Sequence, residues 1–492
     1  MDTLHTDELV KRIAKLVKQN TELTSEVKKL NKQTEKLAQD NEELKKVIAS
    51  AVLVKTEAHK DEKIEEVISK KFKMVTVLFA DIQGFGKISD NSDSQSMIDN
   101  LDSLFFAFDS IVKKYKIEKI KTIGDAYMAA GGIPEKNITN PVEVVLAAHQ
   151  MQKYLLEHED QQMKIWDLRM GVHTGPVTAM ITGKKKASYD IKGDTVNIAT
   201  RLEAAGKPGE IVISVMTYEL VKEFFICEYF GKMPVKYMGD LEIYSVKGIR
   251  PELTKDDLGF EPNQNFWTKF GLVQFTDLQE VILEKLEIGL PKFLYYHNVK
   301  HTVDVTTQVE LIGWGEGVND EEILLLKTAG LFHDAGHTIE YDNHEYHGTI
   351  MAREILPGYN YSNEQIDKIC EIIMATKLPP KPQTLLQQII CDSDLDYLGR
   401  IDFVPVSNTL YRELKAQGKL KSLNDWNKLQ VKFLSNHQFF TKTALSLREV
   451  NKQKQVERIS SLIFENEEEA KKFEDSLENE LDGNPDFPLE DL

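Results

Sequence analysis

The stretch EKIKTIGDAYMAAGG, residues 118–132, decides the reading of the central fold. Alternating residues lead into a Gly-Asp turn and alternating residues lead out, the pattern of a β-hairpin. Asp125 sits at its tip and Lys121 four residues earlier. A turn aspartate is usually only a turn residue, and a hairpin lysine is usually only solvated. What surrounds them gives both another meaning.

Upstream, FKMVTVLFADI reads as a buried strand ending near Asp81. Downstream come an amphipathic helix (PVEVVLAAHQMQKYLLEHE), two strands in WDLRMGVHTGPVTAMITG, a helix closed by Gly206, and a further strand and helix. Mixed elements over about 180 residues predict an α+β domain with a largely antiparallel sheet. If the strand of Asp81 and the hairpin are neighbours, two carboxylates meet at one edge and repel unless cations lie between them. A pair of Mg²⁺ or Mn²⁺ ions is the usual answer where phosphates are handled.

LFADIQGFGKIS, KIKTIGDAYMAAGG, RMGVHTGPVTAMITG and YDIKGDTVNIATRLEAAG resemble, in order and spacing, the motifs of class III nucleotidyl cyclases. The resemblance covers residues 72–250. It implies a ferredoxin-like catalytic fold that works as a head-to-tail homodimer on a nucleoside triphosphate. It implies two metal ions on Asp81, Ile82 and Asp125, triphosphate contacts near Gly84 and Phe85, and Asn197 and Arg201 acting on the ribose and the α-phosphate. Asn197 and Arg201 are four apart and so share a helix face. Lys121 and Asp190 fall at the base-reading positions. A donor-only lysine suits adenine N1 and an acceptor-only carboxylate suits the 6-amino group, which predicts ATP. Asp194 is expected to cap its helix. The family's second lysine near the domain end is Met238 here, which leaves Lys236 for the triphosphate.

Residues 9–48 carry an unbroken heptad: Leu9, Leu16, Leu23, Leu30, Leu37 and Leu44 at one position, and Ile13, Asn20, Val27, Thr34, Asn41 and Ile48 at the other. The choice is between a solvated helix docked on its own protein and a parallel two-stranded coiled coil. Six heptads with asparagine at one seam position favour the coiled coil over residues 1–50. Residues 51–71 read as a helical linker. Such a dimer would hold two cyclase domains at high effective concentration.

After a polar linker at 251–275 the strand signal fades, and helical periodicity runs over 276–462, an all-α domain. About half of the 12 histidines crowd into it, in YHNVKHT (296–302) and LFHDAGHTIEYDNHEYHG (331–348). Imidazoles and carboxylates so grouped suit a divalent transition metal. The region resembles the HD-domain metal-dependent phosphohydrolases, with an opening motif like that of cyclic-nucleotide phosphodiesterases. That implies His301, His333, Asp334 and Asp394 as ligands, with Asp334 able to bridge two ions, and His297 as general acid. His337, His344 and His347 are further candidates for a second ion or for phosphate.

The net charge of −18 argues against nucleic acid as a partner. Twelve acids against two lysines make residues 463–492 an acidic, disordered tail. Three cysteines without a CxxC pair, no apolar run long enough to span a membrane and no apolar leader suggest a cytoplasmic protein. Three functions fit: a bifunctional enzyme that makes cyclic AMP and hydrolyses a phosphoester such as a cyclic nucleotide, a cyclase whose HD domain is a metal-containing nucleotide sensor, or a phosphohydrolase regulated by a degenerate cyclase domain.

Overall fold

In a computed structural model, the structure describes residues 68–83, 94–158, 167–182, 188–235, 239–466 and 468–472. The heptad segment, most of the helical linker, Gly84, Phe85, Lys236 and most of the acidic tail lie outside the described residues.

The first half is built on an eight-stranded sheet. Its strands are β1 (Ile68–Gln83), β2 (Glu118–Ile123), β3 (Ala126–Gly131), β4 (Asp167–Thr182), β5 (Ser188–Lys192), β6 (Ile211–Ser214), β7 (Phe225–Val235) and β8 (Gly239–Ile249). The order is β2-β3-β1-β4-β6-β8-β7, with β5 pairing β4 outside that path. β1–β3, β2–β3, β6–β8 and β7–β8 are antiparallel and β4–β6 is parallel. Helices α1 (Ser94–Lys114), α2 (Asn140–Glu157), α3 (Asp194–Ala205) and α4 (Val215–Val221) complete this half. Leu78, Phe108, Tyr127, Val145, Met170 and Val172 belong to its largest buried cluster.

Three local expectations change. Residues 68–71, read as helical linker, already belong to β1 as an exposed lead-in, and burial begins at Phe72. The segment read as two strands is one 16-residue strand, β4. Gly175-Pro176 looks like a turn but is the seat of α3: Thr195 Oγ1 donates to the Pro176 carbonyl at 2.7 Å. Asp194 is the first residue of α3, behind Gly193, and makes no capping bond. It acts there only as a negative charge in the first turn, favourable to the helix dipole.

The second half is helical: α5 (Gln264–Gly289), α6 (Val299–Glu316), α7 (Asp320–Phe332), α8 (His344–Ile355), α9 (Asn363–Met374), α10 (Leu385–Asp394), α11 (Phe403–Ala416), α12 (Leu423–Asn436) and α13 (Lys442–Ser460). Asn263 caps α5 by accepting from the Phe266 amide. The boundary expected at residue 276 therefore falls inside a helix. Phe266 and Phe270 of α5 are buried with the sheet's core, whereas Phe275, Leu278, Ile282 and Leu286 are buried with the helical core. No described helix is long and apolar enough to cross a membrane.

Candidate active sites

At the sheet, Asp81 pairs across the strands with Ala126, so Asp125 lies beside it, and the Ile82 amide donates to the Asp125 carbonyl at 3.3 Å. The two carboxylates thus come from the end of β1 and from the turn joining β2 to β3, at one end of the sheet. Hard oxygen donors at such an edge suit Mg²⁺ or Mn²⁺. Asp81 Oδ2 accepts from Gln83 Nε2 at 2.5 Å and from Arg169 Nη2 at 3.1 Å. Arg169 also stands 2.7 Å from Glu203 Oε1. Burial pushes the Glu203 carboxyl up to about 7, with Arg169 opposing the shift.

Lys121 Nζ, on β2, donates to Asp190 Oδ1, on β5, at 2.7 Å. Residues 69 apart in sequence therefore meet, each about half exposed. Asn197 and Arg201 are exposed on α3, and Arg201 Nη1 donates to the Pro234 carbonyl at 3.3 Å.

In the helical half, ligand candidates stand at helix ends. Asn298 caps α6 by accepting from the His301 amide, which leaves His297 just before the helix and His301 in its first turn. His333 and Asp334 follow the last turn of α7, and Asp394 ends α10. His301 Nε2 lies 3.1 Å from Asp394 Oδ1, 3.3 Å from Asp334 Oδ2 and 3.3 Å from His333 Nε2. His333 Nε2 lies 3.3 Å from Asp334 Oδ2 and 3.4 Å from Asp394 Oδ1. Ligands about 2.0–2.1 Å from one ion stand roughly 3.0–3.4 Å apart, so the four atoms fit a shared divalent cation. His333 Nδ1 donates to the Gly330 carbonyl at 2.8 Å, which turns the Nε2 lone pair toward the cluster. Without the ion, burial opposes charge on both histidines, yet Asp334 and Asp394 hold His301 and His333 above the ordinary imidazole range.

The other oxygen of Asp334 faces a second group. Asp334 Oδ1 is 3.4 Å from His344 Nε2 and 4.0 Å from His337 Nε2. His297, Asp334 and His337 also bring ligand atoms within 4.8 Å of one another. One carboxylate therefore stands between two histidine clusters, a geometry for bridging. Gly336 permits it: a Cβ there would come within 1.9 Å of the His344 carbonyl, so only glycine lets the HDAGH turn pack on α8. His347 does not join; its Nε2 pairs with Glu340 Oε2 at 3.1 Å. Asp392, two residues before Asp394, stays out of the cluster, because it accepts from the Phe440 and Thr441 amides and the Thr441 hydroxyl.

Two further features carry no sequence signal. Glu413, an unremarkable glutamate of YRELKAQ on α11, is fully buried against His297. Its Oε1 accepts from His297 Nδ1 at 2.5 Å and from the Tyr341 hydroxyl at 3.2 Å. Its Oε2 accepts from the Tyr296 and His297 amides at 2.9 and 3.2 Å. Burial alone would raise this carboxyl; the donors around it hold it below the ordinary glutamate range. Beside the histidines opens a cavity of about 400 Å³, polar at the His297–Asp334 end and walled elsewhere by Phe403, Leu410, Trp426, Phe433 and Leu434, with Gln430 among them.

Comparison with known proteins finds two family models in the chain. Residues 67–248 match the adenylate and guanylate cyclase catalytic domain, and residues 298–396 match the HD domain. A receptor-type guanylate cyclase of Caenorhabditis elegans is 35% identical over 191 residues, 37% of this chain and 16% of that protein. An adenylate cyclase of Mycobacterium tuberculosis is 32% identical over 182 residues, 37% of this chain and 41% of that protein. The chain thus spans well under half of each relative. The solved adenylyl cyclase CyaB of P. aeruginosa is 30% identical, with 38% of this chain and 99% of that chain covered and a TM-score of 0.35.

Proposed function

We propose that this chain, which joins a class III nucleotidyl cyclase domain to an HD domain, makes cyclic AMP from ATP and hydrolyses a cyclic nucleotide. The observation that carries the ATP reading is the Lys121–Asp190 pair at 2.7 Å. It offers one donor and one acceptor side by side, complementary to adenine N1 and its 6-amino group and mismatched to guanine. Relatives include both adenylate and guanylate cyclases, so specificity rests on this pair.

Asp81, Asp125 and the Ile82 main chain would hold two divalent ions, which when bound acidify the ribose 3′-hydroxyl and neutralise phosphate charge. Asn197 orients the ribose, and Arg201 stabilises charge growing on the α-phosphate as the 3′-oxygen attacks and pyrophosphate leaves. Gly84, Phe85 and Lys236 take the triphosphate. The two halves of each site come from partner subunits, which the heptad at residues 1–50 holds together in parallel.

In the HD domain, His301, His333, Asp334 and Asp394 would hold a divalent transition metal, with Asp334 shared toward a second ion beside His337. The metal when bound activates water for attack on phosphorus. His297, oriented through Nδ1 by Glu413, presents Nε2 to the leaving oxygen and gives it a proton. The apolar chamber takes the base.

Purified protein given ATP with Mg²⁺ or Mn²⁺, and GTP in parallel, tests this. Cyclic AMP should form and pass to 5′-AMP; Asp125→Ala should abolish both, and Asp334→Ala should leave cyclic AMP to accumulate. Cyclic GMP as the main product would refute the base reading. A second reading, in which the HD domain senses a nucleotide and governs the cyclase, draws support from α5, whose two ends lie in the two cores. It predicts that Asp334→Ala changes cyclase rate while wild type yields no 5′-AMP.

A further inference from the structure

Asp81 shares its end of the sheet with an arrangement to which neither the motifs nor the mechanism gives a role. Arg169 Nη2, from β4, reaches Asp81 Oδ2 at 3.1 Å and Glu203 Oε1 at 2.7 Å, so one guanidinium serves two carboxylates and stands closer to the second. Glu203 is 6% exposed and belongs to α3, the helix of Asn197 and Arg201. It cannot move away. A Cβ on Gly171 would lie 2.2 Å from both the Ala199 carbonyl oxygen and the Glu203 amide nitrogen, so helix and strand touch backbone to backbone there.

A cation bound at Asp81 must share that carboxylate with Arg169 or displace it. Displacing a guanidinium into an apolar interior with no anion to receive it is costly. Here a receiving anion is built in. We infer that Glu203 is a positioning residue for metal binding: it shares the Arg169 guanidinium with Asp81 and receives it when a divalent ion takes the Asp81 carboxylate. This rests on the reading of Asp81 as a metal ligand. Glu203 also lies within hydrogen-bonding reach of Asp81; its proposed effect on the ion runs through Arg169.

The inference makes an unusual pattern of effects. In Glu203→Gln, Arg169 keeps one anionic partner, Asp81, and the metal competes with a full positive charge. A divalent ion roughly 5 Å from one extra unit charge loses about tenfold in affinity even at high dielectric. In Arg169→Gln that competitor is gone. In the double variant Glu203→Gln/Arg169→Gln the competitor and its receiver are removed together, and affinity returns.

The test uses the full chain at about pH 8. Mn²⁺ is titrated with saturating 3′-deoxy-ATP, which cannot cyclise, and free Mn²⁺ is read by electron paramagnetic resonance. Each titration is taken as a difference from Asp81→Asn, so that sites in the helical half cancel. Far-UV circular dichroism and melting accompany every variant. Glu203→Gln should bind about tenfold more weakly, Arg169→Gln at least as tightly as wild type, Glu203→Asp like wild type, and the double variant within about threefold of wild type. Unchanged binding in Glu203→Gln overturns the inference. So does a folded double variant as weak as Glu203→Gln, or weakened binding in Arg169→Gln. If Asp81→Asn titrates like wild type, the metal reading itself falls, and this inference with it.

Discussion

Replacing Glu413 by glutamine should separate proton delivery from metal binding in the HD domain. The carboxylate takes four donors, two on each oxygen: His297 Nδ1 and the Tyr341 hydroxyl on one, the Tyr296 and His297 amides on the other. An amide has one accepting oxygen. The two backbone N–H groups cannot become acceptors, so that oxygen stays with them and the new NH₂ faces His297 and Tyr341. The hydroxyl can turn and accept. His297 Nδ1 must accept too, so the ring loses the carboxylate that accepts its Nδ1–H. Losing one charge-assisted hydrogen bond in a buried site costs about 1.5–3 kcal/mol. General acid catalysis contributes typically 10²–10⁴-fold, so hydrolysis of a cyclic nucleotide should fall by about a hundredfold or more. Metal content should not change, because Glu413 contacts none of the proposed ligands His301, His333, Asp334 and Asp394. Product analysis by chromatography, metal content by atomic emission and a melting curve make the assay. Because the folded Glu413 carboxyl is held below its ordinary range, its stabilising contribution is complete above about pH 4.5 and is lost as pH falls through the lowered value. The difference in melting temperature between wild type and Glu413→Gln should therefore shrink below about pH 4. Hydrolysis at the wild-type rate, or loss of metal, would refute the role assigned to the pair.

Gly171→Ala should destabilise the sheet half by about 3 kcal/mol or more, seen as a lower melting temperature, since its Cβ meets backbone at 2.2 Å and backbone cannot give way cheaply. Mn²⁺ at about a hundred times its dissociation constant should raise the stability of the helical half by about 2.7 kcal/mol, and Asp394→Asn should abolish that gain. Lys121→Glu with Asp190→Cys should turn triphosphate preference from ATP toward GTP, measured as the ratio of kcat/KM values, because donor and acceptor are exchanged at the base.

The sheet and its edge were legible because the relevant signals are local. Alternation and the Gly-Asp turn mark β2 and β3, and the register then sets Asp125 beside Asp81 without further information. The cluster around His301 was legible for a different reason: histidines and aspartates at helix ends are rare enough to stand out together. Glu413 and Glu203 left no such mark. Each is one glutamate among many on an amphipathic helix, and its burial follows from what packs over it, His297 in one case and Arg169 in the other. The single long β4 was hidden by Gly175-Pro176, whose local preference for a turn yields to the docking of α3. Residues that line the apolar chamber, from Phe403 to Leu434, read only as helix cores, since core and cavity wall share one composition.

The helix from Gln264 to Gly289 has a practical consequence for anyone dissecting the chain. A cut in the polar stretch before it strips the cyclase fragment of Phe266 and Phe270, and a cut at residue 276 strips the HD fragment of Phe275. No site of scission leaves both pieces whole. Separately expressed halves should accordingly each retain the helix, overlapping over its length, and fragments that divide it should be recovered insoluble or poorly active even though every proposed ligand and nucleotide contact lies elsewhere.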